Sequence, residues 1–89
     1  MKKPFHFLLI PSAGDAIRSL TDYSDADLCL ATARALARRV LQSDPLAGRD
    51  DIALAQILNP TSVEFHVIRS ADRTSIFSEQ LERCEEDHV

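Results

Sequence analysis

Apolar side chains recur at helical spacing between residues 24 and 42, and this stripe limits the possible folds more than any other part of the chain. Ser24 and Asp27 form a capping-box pattern that opens the predicted helix, and the sequence Gln-Ser-Asp-Pro at residues 42–45 ends it. Because a helix of this kind is stable only when its apolar face is covered, the rest of the chain must supply a packing surface. The stripe consists of Cys29, Leu30, Ala33, Leu36, Ala37, Val40 and Leu41.

Two stretches of alternating side chains predict the strands that supply this surface. Residues 5–10 are short, rich in aromatic and aliphatic side chains, and flanked by prolines, which is typical of a strand. Residues 61–69 alternate cleanly between apolar and other side chains, and residues 74–77 are predicted to return as a third strand. The side chains expected to face the helix are Phe5, Phe7 and Leu9 in the first strand and Val63, Phe65 and Val67 in the second.

The remaining segments complete the predicted fold. Residues 12–22 form either a short helical turn or an irregular loop, and residues 51–58 form a short capped helix. A terminal helix is predicted from residue 78, with fraying from about residue 85, where acidic side chains oppose the helix dipole. We therefore predict a single α+β domain over residues 1–89. Its element order is β-α-α-β-β-α, with a two- or three-stranded sheet packed on one long helix.

Charge and glycine content exclude several classes of function. The net charge is −4, from 14 acidic and 10 basic residues, so the chain lacks the positive surface that binding to phosphate backbones requires. Only two glycines occur in the chain, which excludes a glycine-rich loop that cradles phosphates.

The predicted order of elements is also that of one class of K-homology RNA-binding domain, which the chain resembles in this respect alone. Members of that family grip the nucleic-acid backbone with a G-x-x-G loop between their first two helices. The corresponding loop, at residues 46–51, has one glycine followed by Arg49, Asp50 and Asp51, and the two carboxylates repel phosphates. Nucleic-acid binding is therefore disfavoured, and the element order alone keeps a small nucleic-acid-binding module as an alternative function.

Three histidines and a cysteine suggest a second alternative, a zinc-binding domain. His6 and His66 fall on equivalent faces of two predicted strands, so pairing of those strands would bring them together. Cys84 and His88 are four residues apart on the predicted terminal helix, a spacing that places two ligands on one face. The set matches no compact zinc-ligand pattern, so we expect neither a metal nor a cofactor.

Catalytic motifs are missing from the sequence. No nucleophile elbow or cysteine-protease signature surrounds a serine or cysteine, and the nearest nucleophile–base pair is Cys84 with His88 in the fraying segment. We expect no enzyme activity. Cys29 and Cys84 both lie at apolar positions of predicted helices, which favours packed, reduced thiols, although one disulfide between them stays open as an alternative.

The N-terminal apolar run bears on where the protein resides. It spans about six residues, is interrupted by His6 and ends at Pro11, whereas the apolar core of a secretion signal needs roughly 7–15 residues. No other stretch approaches the roughly 20 apolar residues of a membrane span. We therefore expect a cytoplasmic protein.

The second face of the predicted sheet gives the main functional hypothesis. An apolar patch on that face must be covered by the terminal helix, by a second copy or by another protein. We expect a small noncatalytic intracellular protein that acts through protein–protein contact as a homodimer. Its size suits a regulator or inhibitor of a larger machine, including one carried by a bacteriophage or a mobile element. The residues expected to contact a partner are Leu8, Ile10, His66, Ile68, Arg34 and Arg38, with Arg18, Arg49 and the acidic residues 85–87 as further polar candidates.

Overall fold

The computed structural model describes residues 4–42, 52 and 56–83 of the chain. In sequence order its elements are β1 (Phe5–Pro11), β2 (Ile17–Arg18), α1 (Ala26–Leu41), β3 (Ser62–Arg69) and β4 (Thr74–Glu82). The strands form one antiparallel sheet in the order β2-β1-β3-β4. The predicted α+β class is confirmed, but the sheet formed by the described residues has four strands rather than two or three. The order of the described elements, β-β-α-β-β, also differs from that of the K-homology class.

Strands β1 and β3 form the centre of the sheet, as their alternation predicts. Phe7 pairs with Val67 and Leu9 with Phe65, and these four side chains are buried together with Val63. Because alternate residues of a strand point to opposite faces, this register gathers the apolar side chains on one side of the sheet. That side is the inner face, on which α1 packs.

Helix α1 begins one residue later than the capping pattern predicts. Asp25, in extended conformation, caps the helix, and its carboxylate accepts the Asp27 N–H at 2.9 Å. Ser24 was the predicted cap, but a charged acceptor next to the positive end of the helix dipole is the stronger of the two. The helix lies over β1 and β3 and touches β4 only slightly. Its buried side chains are Cys29, Ala33, Leu36, Ala37, Val40 and Leu41.

The helix predicted from residue 78 is wrong as far as Glu82, where the chain continues as strand β4. Phe77 and Leu81 are four residues apart and fit one helix face, but they fit one strand face equally well. Pairing with β3 favours the strand over the helix, because the backbone groups on this side of β3 would otherwise lack partners. The predicted strand at 74–77 is confirmed and longer than expected. The predicted fraying from residue 85 lies outside the described residues.

The segment after β1 returns as β2, which is neither of the two predicted alternatives. Ile17 is fully buried in this short strand. The short helix predicted at 51–58 is also wrong where the chain is described, because Ile52 and Ile57 form isolated bridges. The backbone of Gln56 bonds to Asp15 rather than within a helix. Its N–H donates to the Asp15 carboxylate at 2.9 Å, and its C=O accepts the Asp15 N–H at 3.0 Å. Residues 51 and 53–55 lie outside the described part.

The single helix of the described part is not long and apolar enough to cross a membrane.

A side chain at Gly14 should destabilise the protein more than one at any other position of this loop. Its φ is +99°, and a Cβ built on it would lie 2.6 Å from the Gln56 carbonyl oxygen. We expect Gly14→Ala to lower the free energy of unfolding by about 1–3 kcal/mol, because strain and a backbone clash combine. Urea denaturation followed by circular dichroism measures this. Ala16→Ser, at an exposed neighbour, is the matched control and should shift stability by less than about 0.5 kcal/mol. Equal stability of Gly14→Ala and the parent chain would contradict the close approach.

Candidate functional site

The face of the sheet opposite α1, called the outer face below, gathers most of the predicted contact residues. Four of the six, Leu8, Ile10, His66 and Ile68, lie on it in β1 and β3. No helix or strand of the described residues packs against this face. Ile10 remains 41% exposed, whereas Leu8 and Ile68 are half-buried between their neighbours. The structure therefore brings these residues into one continuous surface, as the alternation predicted.

One end of the outer face forms a basic pocket. It has a volume of about 180 Å³ and is lined by His6, Leu8, Arg18, Ile68 and Arg73. Strand register explains the assembly, because Leu8 stands opposite Arg18 of β2 and His6 stands opposite Ile68 of β3. Leu8 and Ile68 supply the apolar part of its lining, called the floor below, and Arg18, Arg73 and His6 supply the polar part. This pocket is called the outer-face pocket.

The charges around His6 make the outer-face pocket a positive site. Burial lowers the pKa of His6 below its usual value, and Arg18 and Arg73 lower it further, while Asp22 opposes them. The neutral imidazole is therefore favoured. His6 Nδ1 lies 2.7 Å from the Ser70 hydroxyl, which fixes the ring in place. Within the described part of the chain, neither Arg18 nor Arg73 forms a side-chain ion pair.

The turn between β3 and β4 delivers Arg73 to this pocket. Asp72 accepts hydrogen bonds from Nε and Nη2 of Arg69 and from the Thr74 N–H, all at 3.2 Å. The bonds from Arg69, followed by that from Thr74, lower the pKa of Asp72 to about 2. Arg73 has a φ of +60°, a left-handed conformation that few non-glycine residues adopt. The turn thus holds this residue in an unfavourable conformation next to the pocket.

The other end of the outer face is acidic around His66. Its Nε2 lies 2.9 Å from Glu64 and its Nδ1 lies 3.0 Å from the Ser75 hydroxyl. His6 and His66 do share one face, as predicted, but each ring is held by a different set of partners. Residues 4–42, 52 and 56–83 contain no group of three or more side chains that could hold a metal ion. Cys84 and His88, the other two predicted ligands, lie outside those ranges.

Arg34 and Arg38 lie away from the outer face. Arg34 Nη2 contacts Glu79 Oε1 at 3.0 Å, which ties α1 to β4 on the inner side of the sheet. Arg38 is exposed at the end of α1, where it borders a groove of about 300 Å³. Arg83 lines the same groove and donates from Nη2 to the Pro60 carbonyl at 2.9 Å. Arg49 lies outside the described residues.

Strand β4 also provides an open edge, which the sequence analysis missed because it predicted a helix from residue 78. The Arg83 N–H donates to the Thr61 carbonyl at 2.8 Å, so the odd-numbered residues from Phe77 onward face β3 with their backbone groups. No strand in the described ranges pairs with the other side of β4. The signal that could have found this strand is the predicted strand at 74–77, because Phe77 and Leu81 fit one face of a longer strand as well as one face of a helix. The residues whose N–H and C=O point away from β3 are Ser78, Gln80 and Glu82.

Comparison of the chain with protein-family models, with curated proteins and with solved structures gave no match. The chemistry of this surface must therefore be argued from its own residues.

Cys29 should be inert in the folded protein. It is fully buried under the sheet, and burial, with a smaller contribution from Asp22, raises the pKa of its thiol to about 11. Because the thiolate is the reactive form, we expect a Cys84→Ser chain to react with a coloured disulfide reagent at neutral pH only when it unfolds. The same chain in denaturant is the control and should react fully and fast. Rapid labelling of the native variant would show that Cys29 is accessible.

Proposed function

We propose that this chain is a noncatalytic protein-interaction domain that works as a homodimer, joined by antiparallel pairing of two β4 edges. The observation that carries the proposal is the nine-residue strand β4, which pairs with β3 on one side and with no described strand on the other. A long open edge is a template for another strand, and a second copy offers the same edge in the same state.

The two edges of the sheet differ in the length of strand that they offer to a partner. β2 forms one edge and has only two residues, which leaves little backbone for pairing. β4 forms the other edge, and it contains neither proline nor lysine, the residues that commonly protect an edge. The register shift between Val67 and Ile68 disturbs only its first part. The regular part, from Phe77 to Glu82, therefore remains available.

Apolar side chains on β4 favour a partner at this edge. Ile76 is 42% exposed and Phe77 is 39% exposed. Helix α1 covers β1 and β3 but hardly reaches β4, so these side chains lack a cover from the helix. Pairing of two β4 strands would remove part of this apolar surface from water, which is the main driving force for association.

Symmetry favours an antiparallel arrangement of the two edges. Ser78, Gln80 and Glu82 point their backbone N–H and C=O groups away from β3. A twofold axis through this part of β4 lets each copy offer these groups to the same groups of the other, as in most closed dimers.

The outer face is the proposed surface for a further protein. Two antiparallel strands of one sheet are related by an axis perpendicular to the sheet, so the dimer presents both outer faces on the same side. Leu8, Ile10, His66 and Ile68 of both copies then form one extended surface. This surface suits a regulator or inhibitor that binds a larger protein, and the buried thiol of Cys29 is compatible with the reducing interior of a cell.

A proline at Gln80 should separate the two copies without unfolding either. The Gln80 N–H points away from β3, so its loss spares the β3–β4 pairing but removes a bond across the proposed interface. We expect the parent chain to sediment at micromolar concentration with twice its 9.9 kDa mass and Gln80→Pro to sediment as a monomer. Gln80→Thr keeps the N–H and is the matched control, which should remain dimeric. Circular dichroism checks that all three chains are folded.

The outer face offers a competing interface, which a second variant separates from the edge. Ile68→Asp places a charge on the outer face and leaves the backbone of β4 intact. We expect this variant to remain dimeric. A monomeric Ile68→Asp with a dimeric Gln80→Pro would mean that the copies meet through the outer face, and the edge pairing would be wrong. A monomeric parent chain would refute the dimer itself.

A further inference from the structure

We propose that the outer-face pocket binds a small organic anion, a carboxylate or a phosphate monoester. Its charged group would lie against Arg18 and Arg73, and its apolar part would lie on Leu8 and Ile68. The pocket contains no residue of β4, so the proposal does not depend on the homodimer.

The two arginines of the pocket differ from Arg34 and Arg69, which are held in ion pairs. Arg34 is paired with Glu79 and Arg69 with Asp72. Arg18 and Arg73 line one concave site without an ion pair from described residues, in a chain whose net charge is −4. Like charges around a concavity raise its local potential, and an anion bound between them relieves their repulsion. The guanidinium fork also matches carboxylate and phosphate oxygens in geometry.

His6 supplies a third polar group at the same place. The position of its ring is set by the 2.7 Å contact between Nδ1 and the Ser70 hydroxyl. When that hydroxyl donates to Nδ1, the neutral ring carries its proton on Nε2 and keeps a donor available for an anion. This tautomer is the one that a bound carboxylate or phosphate selects.

The size and floor of the pocket define the ligand further. Its volume of about 180 Å³ is below the roughly 300–1,000 Å³ of sites for drug-sized molecules, so it fits a small anion or the anionic end of a larger molecule. Leu8 and Ile68 present apolar surface, which an inorganic anion cannot use. The combination favours an anion with a short apolar body.

Titration of the labelled protein with benzoate and with phenyl phosphate, at constant ionic strength, tests the proposal by nuclear magnetic resonance. We expect saturable shifts of the backbone amides of the pocket residues with at least one of the two probes. Inorganic phosphate should bind more weakly than phenyl phosphate, because it leaves the apolar floor uncovered. Saturation by benzoate alone assigns carboxylates, and saturation by phenyl phosphate alone assigns phosphate monoesters.

Arg18→Gln should weaken binding of the saturating probe about tenfold, the effect of losing one hydrogen bond to a charged group. Arg38→Gln is the matched control, since Arg38 is an exposed arginine away from the pocket and its loss should leave binding unchanged. Arg18 is exposed as well, so both variants should fold, which circular dichroism checks. Shifts that do not saturate with either probe, or equal weakening by the two variants, would refute a specific site. Equal affinity for inorganic phosphate and phenyl phosphate would refute the role of the apolar floor.

The ring of His6 gives a second readout, which loss of general charge attraction would not produce. Burial, Arg18 and Arg73 lower its pKa and Asp22 raises it, so the negative charge of a bound anion should shift that pKa upward. Binding of benzoate should accordingly strengthen as the pH falls through the titration range of His6. The backbone amide of His66, whose ring contacts Glu64 at the other end of the face, is the internal reference and should not shift on binding. An unchanged pKa of His6 at saturating benzoate would place the anion outside the pocket.

Discussion

The pairing of β1 with β3 is the interaction on which the rest of the structure depends. It joins two segments that lie far apart in the sequence in seven pairs, from Phe5 with Arg69 to Pro11 with Val63. A slip of one residue in either strand would turn Phe7, Phe65 and their neighbours to the outer face, so burial of these side chains fixes the register. The same register places Leu8 next to His66 and His6 next to Ile68. A single register therefore determines which side chains form the core and which form the outer face.

The two outer strands, β2 and β4, form by hydrogen bonding to the free sides of this central pair. Ser19, just after β2, is buried, and it accepts the Phe7 N–H through its hydroxyl and donates its own N–H to the Phe7 carbonyl, both at 3.1 Å. These bonds satisfy the free side of β1 with very little strand, and they bring Arg18 next to Leu8. On the other side, β4 satisfies β3 with a long strand and acquires an open edge of its own. Among the described residues, one edge of the sheet is thus a two-residue strand, and the other is a long strand without a neighbour on its outer side.

The sequence predicted the elements whose periodicity is strong and missed those that depend on distant partners. α1, β1 and β3 each carry a regular apolar pattern, and the outer-face positions of Leu8 and His66 follow from it. Strand β4 was missed because the four-residue spacing of Phe77 and Leu81 fits one face of a helix and one face of a strand. Only pairing with β3 makes the strand the favoured structure. The intramolecular pairing of Arg34 could not be foreseen for the same reason, since its partner Glu79 lies on β4.

The basic pocket was missed because it belongs to no single element. Arg18 comes from a two-residue strand, His6 from the centre of the sheet and Arg73 from a turn in a left-handed conformation. None of these residues forms a motif in sequence, and only the register brings them together. The pocket lies toward the β2 side of the outer face, whereas the open edge lies at β4. Edge pairing would therefore leave both pockets of a dimer open on the same side of a continuous sheet. A small organic anion in either pocket would then meet Arg18 and Arg73 with its charged group and cover Leu8 and Ile68 with its apolar part, so that recognition of charge and burial of apolar area act at a single place.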